Sequence, residues 1–412
     1  MIAFEAGLAQ ILAKTLEPEF ESISLNKALG LITAAQQIAA IDVPSVDNSA
    51  MDGYAVRCAD FMRGNTFTVS QRIAAGDLAR ALEPGSVARI FTGAMIPAGA
   101  DAVILQEDSQ SLVESNQVTF TETPSLGQHI RLAGQDIRCQ SEVVAKGHRL
   151  SAGDIGLLAS VGVSKLQCYR PLTVAFFSTG DELKDPEQAL EPGQIYNSNR
   201  YFLAAKIAEC GAIPLDLGRC PDDAASTAQF LLKAAEQADC VITTGGMSVG
   251  EEDYVRQQVE ALGSIDFWKL AIKPGKPVAF GQIQGTAFFG LPGNPVSAYV
   301  TFHLLVRPWL LKSMGLANLV DIDLTTASLT GYSAMANFER YNRGRRLDFL
   351  RGVVRINVDG QLIADLFDNQ SSGVLTSISA ANILIPMAAG QKLTAGDHCA
   401  ILPLSCFGEL KI

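Results

Sequence analysis

Three lysines, Lys269, Lys273 and Lys276, fall within eight positions of "WKLAIKPGKPVAFG", on a chain whose formal net charge is -11. Crowded cations on an acidic chain point to a local anion site, because ligand charge is matched by nearby groups and not by the total. Carboxylates recur in short loops elsewhere: Asp181 and Glu182 in "STGDEL", Asp222 and Asp223 in "CPDD", and Glu251, Glu252 and Asp253 in "TTGGMSVGEEDY". In the last of these Gly245, Gly246 and Gly250 would let the backbone approach an anion, with Ser248 among them and free N–H groups at the helix that follows. Carboxylates beside such a loop suit a hard cation such as Mg²⁺, bound through oxygen and substrate phosphate. Lysines would hold phosphate or another polyanion as point charges. Plainer roles compete. Acids at a helix start also serve as caps, which fits Glu251, Glu252 and one of the Asp222–Asp223 pair. A lysine-bearing strand can simply face water.

These loops need elements to carry them. From about residue 171 to 315, apolar strands ("LTVAFF", "IPLDLG", "DCVITT", "TAFFG") alternate with helical patterns ("NRYFLAAKIAECG", "AASTAQFLLKAAEQA", "YVRQQVEALG", "VSAYVTFHLLVRPWLL"). That order predicts a central, doubly wound, mostly parallel α/β sheet covered on both faces. Ligands of such sheets bind beyond the carboxyl ends of the strands. The loops Ser178–Leu183, Pro221–Asp223, Gly245–Asp253 and Gly290–Pro295 should therefore gather at one edge. In "GLPGNPVSA", Pro292 and Pro295 fix the backbone, and Asn294 and Pro295 fit the N-cap and first helical positions. Lys269 and Lys273, four apart in a strand-like run, would point to one face.

The flanks are of another kind. The first forty residues carry near-helical spacing, with "SLNKALGLITAAQQIAAI" predicting a helix after Ser24. "SAGDIGLLASVG" predicts a second helix, with Ser151 and Asp154 as a capping box. Short β-like runs fill residues 61–147, and a hairpin around Asp359-Gly360 opens a C-terminal β region fit for a small barrel. The organisation expected is multidomain: residues 1–42 with 140–170 as an elongated N-terminal helical or linker domain, 43–139 rich in β, 171–318 the α/β domain, and 319–412 a β-barrel.

Composition bounds the rest. At 412 residues the chain can hold several domains and bury sizeable cores. Its acidic balance argues against nucleic acid as a partner. No apolar run is long enough to span a bilayer, and the opening residues lack the basic n-region and cleavage site expected of a signal peptide. Eight scattered cysteines without a C-x-x-C pair suit reduced thiols and a cytoplasmic location.

Taken in order, "DNSAMDGYAV", "RIFTGAMIPAGADAV", "FSTGDEL", "GQIYNSN", "TTGGMSVGEEDY", "FWKLAIKPGKPVAFG" and "GLPGNPVSA" resemble the molybdopterin molybdenumtransferase family (MoeA type), relatives of the C-terminal domain of gephyrin. The resemblance covers nearly the whole chain. It implies a central domain of molybdopterin-binding type and a Mg²⁺-dependent insertion of molybdate into adenylylated molybdopterin, with release of AMP. It also implies a homodimer with shared active sites and possible contact with the molybdopterin adenylyltransferase. The family's functional positions fall on Asp52, Thr92, Arg131, Asp136, Glu182, Asp222, Asp253, Lys269, Lys273, Arg351 and Ser372. Of these, Glu182, Asp222 and Asp253 would hold the metal. Two alternatives remain open at this point: adenylyl transfer from ATP to molybdopterin, and a non-enzymatic, gephyrin-like scaffold.

Overall fold

The computed structural model describes residues 1–112, 115–246, 254–318, 322–323, 328–329 and 331–405. Its centre is built on the apolar run at Thr173–Thr179 (β1), in which every residue after the first is buried. The chain continues through α1 (Ser198–Glu209), β2 (Ile213–Cys220), α2 (Ala224–Gln237), β3 (Cys240–Thr244), α3 (Tyr254–Leu262), β4 (Gly263–Lys269), β5 (Pro277–Ile283), β6 (Thr286–Leu291) and α4 (Pro295–Thr301). The strands lie in the order β2-β1-β3-β6-β5-β4. The first four run parallel, and β5 and β4 close one side as antiparallel neighbours.

Strand alternation sorts the core into two layers. Val174 and Phe176 pack with Leu203 and Ile207 of α1 and Val296 and Val300 of α4. Ala175 and Phe177 pack with Leu231 and Ala234 of α2 and Val255 and Val259 of α3. Both faces are covered, so every strand position can be apolar, which is why the sequence shows continuous runs there. Local signals fixed the helix ends. Asn197 caps α1 through the Arg200 N–H, and Asp223 caps α2 through the Ser226 N–H. Gly211, just past α1, has φ +86°.

The C-terminal region is a closed barrel of five strands, Tyr332–Ala336, Leu347–Ile356, Leu362–Leu366, Ile383–Met387 and His398–Pro403. Its hairpin turns at Asp359-Gly360 as the sequence implies. In the N-terminal half a six-stranded sheet runs in the order Ala102–Leu105, Gly53–Val56, Ser86–Ile90, Thr66–Ile73, Gln117–Phe120, Ser109–Leu112. The helix Ala152–Ser160 opens with the expected capping box between Ser151 and Asp154.

The helix expected after Ser24 does not form. Residues 25–27 make one 3₁₀ turn, and the chain beyond is extended. Phe20–Ser24 pairs with Lys165–Tyr169, and Gln37–Ile38 pairs with Glu142–Val144. Thr33 donates its hydroxyl to the Ala145 carbonyl at 2.6 Å. Strand partners more than a hundred residues away thus override a helical spacing of modest strength. The helix that does open this region, Phe4–Leu12, packs its Phe4, Leu8 and Ile11 into the α/β core instead. Among the described residues no helix is long and apolar enough to cross a membrane.

Candidate functional site

The loops at the carboxyl ends of the parallel strands do converge. The Thr244 hydroxyl donates to Ser178 Oγ at 3.0 Å, and Ser178 donates to Asn197 Oδ1 at 3.2 Å. Gly245 N–H reaches the Leu291 carbonyl at 3.3 Å, tying the ends of β3 and β6 together. Asn199, the second residue of α1, donates to the Gly293 carbonyl at 2.7 Å. Gly245 itself cannot be another residue without strain. Its φ is +89°, and a Cβ there would stand 2.6 Å from the Thr179 carbonyl oxygen. Gly246 follows in the same loop; Ser248, Gly250, Glu251, Glu252 and Asp253 lie outside the described residues.

On the carboxylate side, the Asp222 carboxylate accepts from the Asp181 N–H at 3.1 Å, so the "STGDEL" and "CPDD" loops touch. Asp181 is taken by Arg219 at 2.6 Å. Glu182 folds over Gly180, its Oε2 2.5 Å from where a Cβ would stand. Of the "CPDD" pair, Asp223 is the helix cap, which leaves Asp222 to the loop edge. Among the described residues no three carboxylate, histidine or cysteine side chains cluster as a metal site, so Glu182 and Asp222 would need a further oxygen donor to hold a hard cation.

The lysines arrive differently from the sequence expectation. Lys269 ends β4, but the strand breaks at Leu270–Ala271, and Ile272–Lys273 forms a separate short strand paired with Leu347–Asp348 of the barrel. Lys269 and Lys273 therefore do not share one strand face. The break has visible causes. Register shifts around Phe267 let Phe267 and Trp268 both be buried, and Leu270 is drawn onto Gly7 of the N-terminal helix. Ile2 also intervenes, with hydrogen bonds to the Lys269 carbonyl and the Ala271 N–H.

This break carries Lys273 to the seam between the α/β domain and the barrel. Its ammonium donates to Asp348 at 3.0 Å. Arg351, on the same barrel strand, is 1% exposed. It donates to Ser377 Oγ and to the Ser371 carbonyl at 3.2 and 3.1 Å. Burial draws its basicity down; Asp348 opposes this and the Arg340 charge adds to it. A buried guanidinium stays charged only with such acceptors around it. Ser372 closes the seam: its carbonyl accepts from the Val296 N–H, and its hydroxyl accepts from Asn294 at 3.4 Å. Asn294 stands at the N-cap position as expected, yet its side chain makes this interdomain contact and not a cap bond. Pro292 is buried, Pro295 opens α4, and Lys276 is exposed.

The remaining positions form a second group on the N-terminal β region. Asp52 Oδ1 accepts from both the N–H and the hydroxyl of Thr92, each at 2.7 Å. These bonds, with the Arg89 charge beyond them, hold the Asp52 carboxyl below its ordinary range although it is exposed. Arg131 pairs with Asn48 in a short antiparallel bridge, and the Asp136 N–H reaches the Val43 carbonyl. Residues 43–52 thus gather Asp52, Thr92, Arg131 and Asp136. This group sits on the N-terminal β region, apart from the sheet whose strand ends carry the lysine and carboxylate loops.

Sequence reasoning missed Asp348, the partner of Lys273, and Asn199, which pins the "GLPGNP" loop. It also passed over the run Arg340–Arg351, where five arginines fall in twelve positions. That basic run on an acidic chain was the available signal.

Comparison with known proteins adds independent weight. The model described as "MoeA N-terminal region (domain I and II)" matches residues 2–162, "Probable molybdopterin binding domain" matches 175–312, and "MoeA C-terminal region (domain IV)" matches 336–404. A molybdopterin molybdenumtransferase of Haemophilus influenzae is 38% identical, over 98% of this chain and 99% of that protein. One from Nostoc is 34% identical, over 94% of this chain and 89% of that protein. The crystal structure of a molybdopterin biosynthesis MoeA protein from Pyrococcus horikosii superposes with TM-score 0.80 at 30% identity, covering 98% and 99% of the two chains.

Proposed function

Because the chain belongs to the MoeA family of molybdopterin molybdenumtransferases, we propose that it inserts molybdate into adenylylated molybdopterin and releases AMP. One observation carries the chemistry: Lys273 and Arg351 are both fixed at the barrel strand of the seam, where Ser372 meets Asn294 next to the Gly293–Asn199 loop contact. The seam offers cations to an oxyanion, and the Gly245 loop offers close backbone approach to phosphate. Glu182, Asp222 and Asp253 would hold Mg²⁺, and the oxygen donors that Glu182 and Asp222 present suit it. When bound, Mg²⁺ neutralises phosphate charge at the link to AMP.

The chain's own residues do the rest by positioning and electrostatics. Lys273 is held by Asp348 on one side and half-exposed on the other, so it can turn to a ligand without losing its anchor. Arg351 is fixed before any ligand arrives. Asp52 is kept ionised by Thr92 and so can accept from a substrate N–H or O–H. Because Asp52 and Lys273 sit in separate groups within one chain, we assign the complete site to a homodimer in the cytoplasm, each site drawing the Asp52 group from one copy and the seam from the other.

The test is molybdate-dependent AMP release from adenylylated molybdopterin by the purified protein, with and without Mg²⁺. Release that needs molybdate and Mg²⁺ supports the assignment. Formation of adenylylated molybdopterin from ATP and molybdopterin, with no molybdate-dependent release, would replace it with the adenylyltransferase reaction.

A further inference from the structure

A set of cations lies outside the positions carried over from the family. Arg340, Arg343 and Arg346 line one cavity of about 330 Å³ together with Lys273, Asn342 and Asp348. That volume stands at the lower end of small-ligand sites. Four cations share the cavity with one carboxylate, and that carboxylate, Asp348, is already engaged by Lys273 at 3.0 Å. Among the described residues no carboxylate pairs with Arg340, Arg343 or Arg346. Arg346 is anchored through the Ile272 carbonyl at 3.0 Å, and the Arg343 guanidinium lies 5.7 Å from the Tyr341 ring centre.

The loop that presents these arginines is built from inside. Asn342 is 7% exposed. Its amide nitrogen donates to the Arg346, Met387 and Ala388 carbonyls at 2.9, 3.0 and 3.0 Å, and its oxygen accepts from the Gly344 N–H at 3.0 Å. A surface loop does not need a buried amide to exist. This one fixes like charges together, which costs free energy while nothing offsets their repulsion. An anion in the cavity would offset it. Arginine forks match tetrahedral oxyanions two bonds at a time, and Lys273 adds a movable point charge.

We propose that this cavity is an oxyanion-binding site at the mouth of the seam, taking a tetrahedral dianion on Arg340, Arg343 and Arg346, with Lys273 shared between it and the Arg351 site behind. The same chemistry serves free molybdate and a phosphate group of the nucleotide-bearing substrate. The cavity's charge stands on its own; only the identity of the delivered anion rests on the function proposed above.

Equilibrium dialysis of the full chain against molybdate, inorganic phosphate and AMP, each at low salt, tests it. The variants are Arg340→Ala with Arg343→Ala, Arg343→Gln alone, and Arg345→Ala as a control on the same loop outside the cavity. The double variant should weaken binding of at least one anion about tenfold or more, as loss of charge-assisted hydrogen bonds implies, and should flatten its salt dependence. Arg345→Ala should bind as wild type. Loss confined to molybdate assigns the cavity to the free oxyanion, and loss confined to AMP assigns it to the nucleotide phosphate. Should the double variant fail to fold, the exposed Arg343→Gln change carries the comparison. Equal losses for Arg343→Gln and Arg345→Ala, or wild-type binding by the double variant, would overturn the proposal. A protein that loses the anion here yet still releases AMP from saturating substrate keeps its function. One that binds normally and releases no AMP loses the functional assignment but not this site.

Discussion

At the scale of single residues, the Asp52–Thr92 clamp makes the sharpest prediction. Two hydrogen bonds from Thr92 stabilise the ionised carboxylate, so Asp52 titrates below its usual range in the folded protein. A carboxylate with a depressed folded value keeps its charge until the pH falls through that value, and loses it sooner once the donors go. Thr92→Val removes the hydroxyl and keeps the shape. It should move the acid limb of the AMP-release profile to higher pH. An unmoved limb would detach Asp52 from the reaction. The two neighbouring aspartates make a paired test. Asp222→Asn should raise the Mg²⁺ needed for half-maximal release about tenfold or more. Asp223→Ala should lower the denaturation midpoint by removing its cap on α2 and leave the Mg²⁺ titration where it was. The reverse pattern would exchange their roles.

At the scale of elements, the site depends on where strands stop. Gly245 ends β3 in a conformation closed to other residues, with the Thr179 carbonyl at its back. Gly245→Ala should cost about 1–3 kcal/mol in urea unfolding, from strain at a left-handed position. It should also weaken AMP binding, because the loop must shift. A variant with unaltered stability and affinity would mean the loop accommodates a side chain. The break after β4 matters as much. Were Leu270 and Ala271 to continue the strand, Lys273 would stay with the α/β sheet and never meet Asp348. Instead Gly7 and Ile2 of the N-terminal segment hold the break open, so the first residues of the chain help place a lysine of the proposed site.

At the scale of the whole molecule, the proposed sharing of the site between two copies can be tested by complementation. Mixing Asp52→Ala protein with Lys273→Ala protein should restore AMP release after subunits exchange, because a mixed dimer has one site with both lesions and one with neither. Either protein alone should stay inactive. Mixtures that remain inactive after confirmed exchange would place the complete site within one chain.

Much of this architecture is legible from local sequence. Continuous apolar strands alternating with amphipathic helices determine the doubly wound sheet, since each element's pattern reflects its own burial. The Ser151–Asp154 box, the Asp359-Gly360 turn and the proline opening α4 are likewise local, because their partners lie within a few residues. The motif loops follow from the sheet, as parallel strands deliver their carboxyl ends to one edge. What the sequence did not reveal depends on distant partners. The stretch after Ser24 has helical spacing, but strands from residues 142–169 claim it. Asp52 meets Thr92 across 40 residues, and Lys273 meets Asp348 across 75. Which acid of "CPDD" caps and which remains for the loop edge was settled by the packing of α2. The gathering of Arg340, Arg343 and Arg346 around one cavity depends on a buried Asn342 whose partners include Met387 and Ala388. Periodicity reports how an element is buried, whereas a charged or polar side chain far along the chain finds its partner only when the elements pack.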